Sequence, residues 1–101
     1  VTPDDFAEGV LRAERPTLVD FFAAWCAPCK MMEPLLEDLA AKAAGKLDVV
    51  TLDVQAHEAL AVKLGVMNLP TLILYVGGEE KVRLAGALPP AAILQKLEPY
   101  L

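Results

Sequence analysis

Leu18-Val19-Asp20-Phe21-Phe22-Ala23-Ala24-Trp25-Cys26-Ala27-Pro28-Cys29-Lys30-Met31 is the stretch on which the reading of this chain turns. Thr17 to Ala24 is an apolar run broken only by Asp20. Such a run predicts a buried strand of a largely parallel sheet. Cys26 then opens a long helix through about Ala44, with Met31, Leu35, Leu36, Leu39 and Ala43 at helical spacing. Pro34 inside that pattern predicts a kink, and Gly45 ends it. The two cysteines therefore fall on the first turn of a helix fed by a buried strand.

That position has chemical consequences. A helix N-terminus presents unpaired N–H groups and a partial positive charge. Both favour thiolate over thiol, and the thiolate is the attacking species in disulfide exchange. Cys29 lies three residues on, on the same helical face. Once Cys26 holds a mixed disulfide with a substrate, Cys29 can attack Cys26 and release the reduced substrate. Pro28 has no N–H to donate and fixes the local backbone. The pair Ala27-Pro28 should therefore tune the redox potential. A disulfide here closes a very short loop, so structure alone is a poor reason for it. A zinc half-site is the competing reading, but there is no second cysteine pair and His57 is the sole histidine. Only zinc shared between two chains would remain. Two buried free cysteines acting as small hydrophobes are disfavoured by the helix start and by flanking Trp25 and Pro28.

Asp20 interrupts a run that otherwise reads as fully buried. A buried carboxylate has a raised pKa unless paired, and can then exchange a proton near neutral pH. It either takes and returns the proton of Cys29, directly or through one water, or is a strand-edge aspartate meeting solvent. Charge patterning leaves these two readings even. Leu69-Pro70-Thr71 precedes an apolar strand. Strand entry with a trans bond is the ordinary reading, a tight turn with a cis bond the other. His57 reads as an exposed helix start without a catalytic role, Met31 and Met32 as packing residues, and Lys30 as a solvated neighbour of the thiols.

The remaining elements complete an alternating order. Thr2 can cap a first helix from Pro3 to about Arg12, with Asp4 and Asp5 in its first turn. Leu47–Val54 reads as a strand and His57–Leu64 as a short helix stopped by Gly65. Thr71–Val76 is a strand, Gly77-Gly78 a turn, Lys81–Ala85 its hairpin partner, and Pro89 to about Leu97 a terminal helix. The predicted architecture is α/β: a mixed sheet with helices on both faces.

The bulk composition bounds the function. At 101 residues, 55% hydrophobic and 23% charged, the chain is expected to form one globular domain, 1–101. No apolar run is long enough for a membrane helix. The net charge of −5, without a Lys/Arg cluster, argues against nucleic acid. Two cysteines are fewer than a secreted disulfide scaffold of this size usually carries. Val1–Asp5 shows no signal-peptide pattern and no initiator Met. A processed or trimmed product is expected, and an exported precursor stays open.

The quoted stretch, with Pro34, Leu69-Pro70-Thr71-Leu72, Gly77-Gly78 and Gly86-Ala87 in this order and spacing, resembles the thioredoxin family over essentially the whole length. The resemblance implies a thioredoxin fold, a central sheet of four to five strands flanked by helices. It implies that Cys26 attacks, that Cys29 resolves, and that Asp20 is the buried proton acceptor. It implies a cis Leu69–Pro70 bond, overturning the trans reading, with Pro70 against the cysteine pair. The backbone before Pro70 would pair with an extended substrate chain. Trp25, Ala27, Pro28, Leu69, Gly86 and Ala87 match the substrate-binding rim. Three departures stand out. Ala27 replaces the usual glycine, restricting the loop slightly. Thr51 falls where many members place a lysine beside the buried aspartate, so Asp20 should have the higher pKa. Val1-Thr2 is nearly all that remains of the usual first strand.

The function implied is protein-disulfide reduction in cell redox homeostasis, in the cytoplasm, by a monomer that needs no cofactor or metal. No nucleotide fingerprint is present, so electrons must come from another protein, a thioredoxin reductase, and pass to disulfide-containing substrates. An exported oxidase or isomerase, and a non-redox binding module of the same fold, are the alternatives.

Overall fold

The computed structural model describes residues 6–101. The expected Thr2 cap, Pro3, Asp4, Asp5 and the residual Val1-Thr2 strand lie outside them. The described part of the first helix is a π-helical turn, Ala7–Leu11. Four strands follow: β1 Thr17–Phe22, β2 Asp48–Asp53, β3 Thr71–Val76 and β4 Glu79–Ala85. Helix α1, Ala27–Lys42, joins β1 to β2, and α2, Glu58–Lys63, lies between β2 and β3. Helix α3, Pro90–Leu97, runs into a 3-10 turn, Glu98–Tyr100.

The sheet order is β2-β1-β3-β4, with β1 and β2 parallel and the other pairs antiparallel. β1 is therefore central, as its apolar run requires. It ends at Phe22, two residues short of the expected Ala24, whereas β4 begins two residues before the expected Lys81.

Side chains alternate across β1. Leu18 packs with Met32, Leu36 and Leu39 of α1, Leu72 and Leu74 of β3, and Ile93 and Leu97 of α3. Val19 and Phe21 face the opposite core, with Phe6, Val10, Leu52, Ile73 and Tyr75. The rings of Phe6 and Tyr75 meet edge to face, with centroids 5.4 Å apart. Asp20 shares the Leu18 face, the side covered by α1.

The buried stripe of α1 is Cys29, Met32, Leu36 and Leu39. This corrects the expectation for Met31, which is exposed, as is Leu35 at the margin. Residues one position apart are about 100° apart around a helix. Only one of Met31/Met32 and one of Leu35/Leu36 can face the sheet, and burial of Cys29 selects Met32 and Leu36. The helix continues across Pro34. Arg83 on β4 donates to the carbonyls of Leu64 and Gly65 at 2.7 and 3.0 Å, capping the end of α2 with positive charge.

Candidate active site

The carboxyl ends of the parallel strands β1 and β2 open onto one edge of the molecule, where open α/β sheets place their sites. Ala23 and Ala24 leave β1 there, and the backbone N–H of Cys26 bonds to the carbonyl of Ala23 at 3.1 Å. Cys26 is the N-cap of α1, with extended backbone dihedrals. N-cap side chains accept from the second or third helical N–H. Pro28 occupies the second position and has no N–H. The Cys26 Sγ accepts instead from the N–H of Cys29, at 3.2 Å.

Cys26 and Cys29 are joined by a disulfide, with Cα atoms 5.3 Å apart. Both residues are buried, at 4% and 2% exposure, so neither sulfur is freely open to solvent. The difference between them lies in what they border. Cys26 lines a groove of about 510 Å³ with Trp25, Ala27, Pro28, Val54, Val66, Met67, Asn68 and Leu69. Cys29 sits inward, on the buried face of α1, and packs with Ala23, Phe22, Val54 and Leu69.

Leu69, which lines the groove, directly precedes Pro70. The Leu69–Pro70 bond is cis. Leu69 packs against the cysteine cluster, and the Pro70 carbonyl accepts from the N–H of Gly86 at 2.8 Å. Gly86 thus joins the site through the backbone. Of the expected rim, Trp25, Ala27, Pro28 and Leu69 line the groove beside Cys26. Four groove residues went unmarked in the sequence: Val54, Val66, Met67 and Asn68. The available signal was position, since Val54 follows the end of a parallel strand and Val66–Asn68 run directly into Leu69-Pro70. Trp25 and Met67, which both line this groove, are 70% and 89% exposed and give it an open apolar surface. His57 is the half-buried N-cap of α2, outside the groove, and Lys30 is exposed.

Asp20 is 1% exposed, and its Oδ1 has no hydrogen-bond partner among the described residues. Burial first, and the carboxylate of Glu33 second, push its carboxyl up to about 6 from an ordinary 3.8. The strand-edge reading is thereby set aside: the side chain lies beneath α1, and Thr51 is its cross-strand neighbour on β2. Asp20 and Cys29 occupy facing sides of the same β1–α1 interface. A second cleft, of about 390 Å³, opens from Asp20 past Phe22, Val49, Thr51, Leu36, Glu33, Glu37 and Ala40. Among the described residues no group of three or more His, Cys, Asp or Glu side chains could hold a metal ion. No helix there is long and apolar enough to cross a membrane.

Comparison with known proteins agrees with this geometry. The family model described as Thioredoxin matches residues 1–99. A thioredoxin of Streptomyces clavuligerus is 44% identical over 95 residues, covering 94% of this chain and 88% of its own. Thioredoxin C-2 of Corynebacterium nephridii is 46% identical over 88 residues, covering 87% and 82%. A bifunctional thioredoxin reductase/thioredoxin of Mycobacterium leprae is 42% identical over 97 residues, covering 96% of this chain and 21% of that longer protein. With a redox-active disulfide at the head of α1 and kinship of this extent, the chain belongs to the thioredoxin family and is a thiol–disulfide oxidoreductase.

Proposed function

We propose that residues 1–101 act as one domain, a protein-disulfide reductase in which Cys26 attacks and Cys29 resolves. The observation that carries the order is that Cys26 borders the open groove while Cys29 faces the core. In the reduced protein the Cys26 thiolate attacks one sulfur of a substrate disulfide, and the other sulfur leaves as a thiolate that takes up a proton. Cys29 then gives its proton to Asp20, attacks the Cys26 sulfur and expels the second substrate sulfur as a thiolate that takes up a proton from water. Two electrons pass to the substrate, and the Cys26–Cys29 bond remains. The Cys29 N–H and the N-terminus of α1 stabilise the Cys26 thiolate.

Trp25, Ala27, Pro28 and Leu69 form the binding surface, with Pro70, Gly86 and Ala87 continuing it along the sheet edge. An extended substrate chain would pair with the backbone before Pro70. Thioredoxin reductase is the proposed electron source, a reading supported by the fused Mycobacterium leprae relative. A dithiol kept reduced in this way belongs in a reducing compartment, so we place the protein in the cytoplasm, as a monomer.

Cys29→Ser is the direct test. It should accumulate mixed disulfides through Cys26 that dithiothreitol releases. A variant that captures no thiol-dependent adducts would contradict the assigned order.

A further inference from the structure

We infer that Glu33 is a positioning residue for the exchange reaction: its carboxylate stands at the cleft that opens over Asp20, and governs the passage of the Asp20 proton through that cleft to solvent. The inference rests on the reductase reading and adds to it the group that sets its working pH.

Two geometric observations carry it. Asp20 is buried, and its unpartnered Oδ1 belongs to a side chain lining the cleft. The same cleft reaches exposed Glu33 and Glu37 on α1, one turn and two turns beyond Cys29. Among the described residues the charged groups lining the cleft with Asp20 are therefore of one sign. Helix α1 contributes Glu33 and Glu37, β2 contributes uncharged Val49 and Thr51, and β1 contributes Phe22. No cation lines the cleft among the described residues. A like charge disfavours ionisation of its neighbour, which agrees with the contribution of Glu33 to Asp20. An acidic mouth also attracts protons and repels anions.

The cycle balances. Cys29–SH transfers its proton to the Asp20 carboxylate as it attacks. Asp20 then releases that proton through the cleft to water, and takes one up again when the disulfide is next reduced. Glu33 changes neither the bonds made nor the electrons moved. It shifts the pH at which Asp20 is ready to accept.

The test follows the Asp20 carboxyl by carbon-13 NMR through a pH titration. The same samples give the pH profile of single-turnover insulin-disulfide reduction, read by Trp25 fluorescence. Glu33→Gln should lower the Asp20 midpoint by about half a pH unit, and Glu33→Lys by more. The acid limb of the rate profile should move by the same amount. In an Asp20→Asn background, Glu33→Gln should move nothing. A midpoint identical in wild type and Glu33→Gln, or a midpoint that moves while the rate limb stays, would overturn the inference alone. A wild type that reduces no insulin at any pH would overturn the reductase reading beneath it.

Discussion

Asp20 places a carboxyl where the β1 pattern calls for an aliphatic side chain, and the molecule bears a cost for it. Its folded value of about 6 lies above the ordinary 3.8. Between those two pH values the folded chain keeps a proton that the unfolded chain has released. Stability therefore falls as pH rises through that window, and above about pH 6 the loss is complete. Its size is on the order of 2–3 kcal/mol. Asp20→Asn removes it. Urea unfolding should show the variant more stable than wild type by that order at pH 7, with little difference near pH 3. Resolution should meanwhile slow at neutral pH, and an unchanged rate would remove Asp20 from the mechanism. The break that Asp20 makes in an apolar run was legible in the sequence. Glu33 was not, because spacing alone does not say which face of α1 looks down on β1.

The β3–β4 turn shows how one element can be read and another missed. Gly77-Gly78 announced a hairpin, and both residues take positive φ, +61° and +84°. They differ in surroundings. A Cβ on Gly77 would meet nothing within 4 Å, whereas one on Gly78 would stand 2.7 Å from the carbonyl oxygen of Leu11. Gly77→Asn should keep stability within about 0.5 kcal/mol, since asparagine suits this turn position. Gly78→Ala should cost about 1–3 kcal/mol, because backbone must move as well as strain. Chemical denaturation of the two variants checks both, and equal losses would contradict this account of the turn. Helix α1 was legible in extent but not in orientation. Its paired apolar residues, Met31/Met32 and Leu35/Leu36, allow two stripes, and only packing against the sheet chooses between them.

At the scale of the molecule, the fold brings three separated segments to one edge: Trp25–Cys29 after β1, Val54 after β2, and Val66–Pro70 before β3. The first was legible because its chemistry is local. Leu69-Pro70 was legible through the family resemblance; Val54 and Val66–Asn68 were not, since their place depends on β1 and β2 running parallel and β3 returning antiparallel. The large exposed groups Trp25 and Met67 line that groove together with Cys26. Met67→Lys should therefore weaken reduction of apolar substrates through KM more than through kcat, by several fold. Equal kinetics would show that the groove wall takes no part in binding. Beneath these details lies one claim, that the chain carries electrons to protein disulfides through Cys26. Insulin-disulfide reduction coupled to a thioredoxin reductase measures it directly. The wild type should turn over steadily and Cys26→Ser not at all; turnover that survives Cys26→Ser would contradict the claim.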